Sequence, residues 1–182
     1  MQAMKVKNVK ERYVTARKTD VKRQNGFSLL ELIIVIAIIG TLTVISAYSW
    51  QRYVRNTNLR TAAREMVADF DYMKANAVSK PDFTHTIAFD RTANPNIYTL
   101  NAIDAGGSNA SGFPKARTPA SAGADIVITS LPGGGSTYTL TFLARGTLSP
   151  STGTITLQNS RGSAANIIYN ITGKTYATFT MQ

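Results

Sequence analysis

Glu31 is the residue whose placement most demands an explanation. It is the one formally charged side chain in Phe27 to Trp50, FSLLELIIVIAIIGTLTVISAYSW, a run of 24 residues. An ionised carboxylate in hydrocarbon costs several kcal/mol unless a cation meets it, so a carboxylate kept there predicts a positive partner. The competing reading is a carboxylate that snorkels back to the near interface, because Glu31 stands only five residues from the preceding basic stretch. A second group is cationic. Arg145, Arg161 and Lys174 fall at or near strand connections, with Lys115 and Arg117 in a long loop. Such side chains hold nucleic-acid phosphates where they converge, and otherwise keep a domain soluble. Other chemistry is poorly supplied. The chain has no cysteine and one histidine, which excludes thiolate ligands, disulfides, thiol nucleophiles and the usual multi-histidine metal cluster, leaving only a carboxylate site open. No cofactor is implied. His85 shares a strand face with Ile87 and Phe89 and lacks any Ser/His/Asp spacing, so it reads as a structural or surface histidine. Gly173-Lys174-Thr175 imitates the end of a phosphate-binding loop. That motif needs a glycine where Ile168 stands and a strand-to-helix setting, and the sequence offers a hairpin.

The elements that would position these residues follow from charge and period. The 182 residues suit one modest domain, and the formal charge of +10 is uneven. Residues 1–26 hold eight basic and two acidic side chains and contribute +6 of it, so the remaining body is only mildly basic. At about 1.5 Å per residue, Phe27 to Trp50 is long enough to cross a bilayer core of roughly 30 Å. The positive-inside rule then places residues 1–26 in the cytoplasm and everything after Trp50 outside, with Trp50 and Tyr53 at the outer interface. Ser46-Ala47-Tyr48 is a poor version of a secretory cleavage site, so the apolar segment is expected to stay. In residues 51–80, Leu59, Ala62, Ala63, Met66, Phe70, Met73 and Ala77 recur at three- and four-residue spacing, which predicts an amphipathic helix stopped by Pro81.

Beyond Pro81 the period changes to two. Ile87 and Phe89, Tyr98 and Leu100, Ile126 and Ile128, Tyr138, Leu140 and Phe142, Ile155 and Leu157, and Ile167, Tyr169 and Ile171 alternate with polar residues. They predict half-buried strands joined by short antiparallel turns, at Gly133-Gly134-Gly135, Ser151-Thr152-Gly153 and Thr172-Gly173-Lys174. Residues 104–123, rich in Gly, Ala, Ser and Pro, read as a long loop. The apolar face of helix 51–80 requires cover, and a sheet with one apolar face would supply it. The fold class expected is α+β, a long N-terminal helix packed on a C-terminal antiparallel sheet.

Gly26-Phe27-Ser28-Leu29-Leu30-Glu31, with a basic leader before it and an unbroken apolar run after it, resembles the processing site and first helix of type IV pilins and type II secretion pseudopilins. Three later stretches, Phe142 to Thr147, Gly153 to Leu157 and Ile167 to Lys174, are similar to the end of the GspH/FimT group. The resemblance implies a type IV pilin-like fold divided into a leader 1–26 that is removed, a transmembrane helix 27–50, an amphipathic helix 51–80 and a periplasmic β-rich domain 81–182. It implies cleavage after Gly26, where a side chain would obstruct the peptidase, and methylation of the new amino terminus at Phe27. It implies that Glu31 meets the positive amino terminus of a neighbouring subunit and sets the register of assembly.

The partners implied are other pilins or pseudopilins, a prepilin peptidase/N-methyltransferase, an inner-membrane assembly platform and membrane lipid. The expected role is structural and not enzymatic: a minor pseudopilin of a type II secretion pseudopilus, or alternatively a minor type IV pilin that primes pilus assembly or takes up DNA. Two departures, Tyr48 where many major pilins carry proline and the lack of cysteine for a C-terminal disulfide, favour a minor subunit. Some FimT-like pilins bind DNA through a Gly-Arg-x-Arg stretch at the terminal hairpin. Here those positions read Gly173-Lys174-Thr175-Tyr176, so the second arginine is missing and DNA is the weaker expectation.

Overall fold

The computed structural model describes residues 27–182, so the leader 1–26 and the cleavage residue Gly26 lie outside the described residues. The chain divides into two compact units, 1–42 and 43–182. The described part of the first is Phe27, Ser28 and the opening of helix α1, Leu29–Ser79, which also supplies the helical part of the second. An 18-residue window of α1 has a mean hydropathy of 2.6 and none of it is buried against protein, so the helix is long and apolar enough to cross a membrane. Such a surface is stable only in lipid or against other apolar helices.

Within the second unit, α1 buries Leu59, Ala62, Ala63, Met66, Phe70, Met73 and Ala77, the seven residues that its periodicity predicts. Nine strands follow: β1 Phe83–Asp90, β2 Ile97–Asp104, β3 Lys115–Arg117, β4 Val127–Ser130, β5 Thr137–Phe142, β6 Leu148–Ser149, β7 Gly153–Gln158, β8 Ala164–Tyr169 and β9 Thr175–Thr180. They form two antiparallel sheets and not one, in the orders β3-β2-β1-β5-β6 and β4-β7-β8-β9. Alternation tells which face of a strand is buried but not which strand lies beside it, and so the single sheet expected from the sequence is corrected here. The chain crosses between the sheets around β4 and for the last time at Pro150. Proline cannot donate to a ladder, so pairing with β5 ends at Ser149 and the next strand, β7, joins β4 in the other sheet. The Leu148 amide donates to the Ile171 carbonyl at 3.0 Å, tying the sheets together at this point.

Three further differences have local causes. Ile171 is not part of β8 and is 55% exposed. The Asn170 carboxamide oxygen accepts from the Thr172 amide at 3.1 Å, the Thr172 hydroxyl at 2.7 Å and the Lys174 amide at 3.1 Å, and this side-chain turn closes the strand early. Residues 104–123 are not bare loop, because Lys115 to Arg117 pair with Tyr98 to Leu100 and a 3-10 turn, Pro119–Ser121, is capped by the Thr118 hydroxyl. The edge strand β9 buries none of its residues fully and half-buries only Thr175, Ala177 and Phe179 on its inner face, so its apolar signal is weak.

The core centres on Phe70, which is 1% exposed. Its ring lies 6.3 Å from Phe89 and 5.9 Å from Phe142 in one sheet, and 5.9 Å from Tyr169 in the other. The Tyr169 hydroxyl shares a hydrogen bond with the Tyr138 hydroxyl and stands over Gly153. A β-carbon at Gly153 would meet the Tyr169 hydroxyl and come within 2.8 Å of Pro132. Gly153→Ala is therefore expected to destabilise the body by about 1–3 kcal/mol through forced displacement of that tyrosine pair. Thermal unfolding of the detergent-solubilised chain checks this, and an unchanged midpoint would contradict it.

Candidate functional site

At the head of α1 the Ser28 carbonyl accepts from the Leu32 amide at 3.1 Å, which opens the helix. Glu31 lies in the first turn, where a carboxylate opposes the positive end of the helix dipole. Phe27 is 85% exposed, and Glu31 is flanked by exposed Leu30, Leu32 and Ile34. Among the described residues no cation pairs with Glu31.

Farther along α1, Tyr48, Arg52 and Arg55 follow one helix face at spacings of four and three. Arg52 Nε donates to the Gln182 carbonyl at 2.9 Å. The Asn56 carboxamide donates to the same carbonyl at 3.3 Å, and its oxygen accepts from Asn159 at 3.2 Å and from the Ser163 hydroxyl at 2.9 Å. Asn159 and Ser163 are buried, and this network fixes the turn between β7 and β8 to the helix. Arg161 leaves that turn and sets its guanidinium 4.8 Å from the centre of the Tyr48 ring. Arg55 donates to the Ser160 hydroxyl and pairs with Asp125 at 3.7 Å. Arg52 and Arg55 were not singled out in the sequence; their spacing just past the apolar run is the signal that would have found them.

Arg145 and Lys174 sit at the opposite end of β8. Gly173 adopts φ +72°, and a β-carbon there would fall 2.6 Å from the Gly146 carbonyl, so the turns holding Arg145 and Lys174 touch. Lys74 Nζ donates to the Thr172 carbonyl at 2.9 Å beside them. The six residues of β8, roughly 20 Å at 3.3 Å per residue, lie between this end and Arg161. The structure thus brings Arg145 and Lys174 together and sets Arg161 apart. Lys115 and Arg117 are elsewhere again: Lys115 Nζ stands 4.7 Å over the Tyr72 ring, and Arg117 pairs with Asp69 at 3.8 Å. Asp69 also accepts from the Tyr98 hydroxyl at 2.8 Å, and burial together with the Asp69 charge raises the Tyr98 pKa far above its usual value.

His85 is fully buried on β1, with Nδ1 3.0 Å from the Phe83 carbonyl and Nε2 without a hydrogen-bond partner among the described residues. Burial lowers its pKa below the ordinary 6.5. The unfolded chain then binds a proton more readily than the folded one. Its contribution to stability is whole above pH 6.5 and is lost as pH falls from there toward the lower folded value. The melting point should drop on acidification from about pH 7 to about pH 5, before most carboxylates titrate, and His85→Phe should reduce that slope. Equal slopes in both proteins would show that His85 does not carry the effect.

Residues 21–47 match the prokaryotic N-terminal methylation motif. Two fimbrial proteins of Pseudomonas aeruginosa are each 45% identical to the chain over 47 residues, covering 26% of this chain and 30% of theirs. The chain thus spans less than a third of the length of the curated relatives it matches. The fold is similar to that of the type IV minor pilin FimU of Pseudomonas aeruginosa, with a TM-score of 0.51 and 20% identity over 69% of this chain and 92% of that one. A long N-terminal apolar helix packed on an antiparallel β domain is the arrangement the two folds share.

Proposed function

We infer that this chain, a membrane-anchored protein of the type IV minor pilin and pseudopilin class, is a minor structural subunit of a type IV pilus. The observation that carries the reading is Glu31 in the first turn of an exposed apolar helix whose later turns are buried under the β domain, with Gly26-Phe27 just before it in the sequence. In this reading the chain is cut after Gly26 and methylated on Phe27 by the prepilin peptidase. It rests in the inner membrane through residues 27–50, with residues 51–80 and the β-rich part 81–182 in the periplasm. An assembly platform and its ATPase then draw it into a filament with other pilins, and the catalytic steps belong to those partners.

The fimbrial relatives matched at the motif are what supports the pilus reading. The type II secretion pseudopilus is the second reading, favoured by the GspH/FimT-like stretches Phe142 to Thr147 and Ile167 to Lys174. Arg145 and Lys174, exposed in adjacent turns, are where a DNA contact would be sought.

Mass spectrometry of the membrane-extracted protein is expected to find a chain beginning at N-methylated Phe27; a start elsewhere overturns the processing. A deletion strain separates the two machines. Loss of surface pili with normal enzyme export supports the pilus, whereas lost export with normal pili moves the chain to the secretion pseudopilus.

A further inference from the structure

Three guanidinium groups, from Arg52, Arg55 and Arg161, border one open cavity of about 520 Å³ together with Tyr48 and Gln182. Among the described side chains the acid paired there is Asp125, held by Arg55, so the three arginines of the cluster outnumber its side-chain carboxylates. Like charges held this close repel, and the fold nevertheless spends contacts on positioning them. Arg52 is fixed through Nε alone, which leaves its terminal nitrogens outside that bond, and Arg161 has its guanidinium against Tyr48. Forked guanidinium groups match phosphate oxygens two at a time, a geometry that lysine lacks.

Position identifies the anion. Tyr48 and Trp50 end the apolar run, and the Trp50 and Tyr53 rings lie 6.2 Å apart on a neighbouring part of the helix surface, as interfacial aromatics do. From Tyr48 to Arg55 the helix rises about 10 Å, the depth of a headgroup layer and its boundary with the acyl chains. We propose that Arg52, Arg55 and Arg161 form a phosphate site that holds the headgroup of an anionic phospholipid in the outer leaflet while the subunit rests in the membrane. The site rests on the membrane-anchored reading above. Extraction into a filament would require the lipid to be released, leaving the three arginines available to a neighbouring subunit.

Trp50 is the single tryptophan of the chain, so its fluorescence reports the lipid beside the site. The full chain is reconstituted in phosphatidylcholine vesicles containing a minor fraction of phosphatidylglycerol, with brominated acyl chains on one lipid or the other as quencher. Quenching by phosphatidylglycerol is expected to exceed its bulk share, and Arg161→Gln, which removes the guanidinium set against the Tyr48 ring, to lower that enrichment about fivefold. Arg60→Gln, one turn beyond the site, should leave it unchanged. Quenching in proportion to bulk composition, or an enrichment that survives Arg161→Gln and Arg52→Gln together, overturns the lipid site while leaving the membrane anchor intact. No quenching by either lipid overturns the anchor as well. Loss of the enrichment in inorganic phosphate but not in chloride of equal ionic strength supports a phosphate site. Binding of phosphate or of an oligonucleotide at these arginines with no lipid enrichment assigns the site to those ligands and overturns the lipid proposal.

Discussion

Glu31→Leu is expected to enter the membrane in normal amount and to disappear from the assembled filament. The carboxylate stands in the first turn of α1 among exposed apolar side chains and has no cationic partner among the described residues. In hydrocarbon an unpaired charge costs about 3 kcal/mol by insertion measurements, so removing it does not hinder insertion. Assembly is different, because the proposed partner is the N-methylated amine of Phe27 in an adjacent subunit. Losing a pair worth about 3 kcal/mol lowers the association constant by roughly 150-fold at each contact. Glu31→Gln keeps a hydrogen-bonding side chain without the charge and should fall between leucine and wild type. Quantifying the subunit in sheared filaments and in membranes separates the two steps. Normal co-purification of Glu31→Leu with the filament would sink the pairing idea.

Phe70→Ala should have the opposite signature, with the subunit itself lost. Phe70 is the buried ring that meets Phe89 and Phe142 in one sheet and Tyr169 in the other. Truncating a buried phenylalanine costs about 3–5 kcal/mol, against a total stability of 5–15 kcal/mol for a typical domain. For a body of this size that is roughly 6–20 °C in melting point. In the cell the variant should be degraded, lowering the membrane pool as well as the filament. Phe70→Leu, which fills more of the space, should recover part of the loss. A full-length pool at wild-type level with a wild-type melting point would show that the sheets do not depend on this ring.

The sequence by itself determined the parts of this protein whose cause is local. Twenty-four nearly uncharged residues oblige a helix that seeks lipid, and the spacing from Leu59 to Ala77 marks the stripe that must be covered. Two-residue alternation likewise marks which side of β1, β2, β5, β7 and β8 faces inward. Tertiary structure decided how the strands are partnered, because alternation is the same whichever neighbour a strand takes. It produced two sheets meeting at Phe70, recruited Lys115 to Arg117 and Thr175 to Thr180 as edges, and closed β8 at Tyr169 through the Asn170 turn. It also decided which charges share a surface. Arg161 is nearer in sequence to Lys174 than to Arg52, yet an antiparallel strand carries its two ends apart, and the turn after β7 returns Arg161 to Tyr48 on the helix. Spacing along a chain reports neighbours only within one element, and a cluster built from a helix and a turn more than a hundred residues away exists only once the sheets have packed.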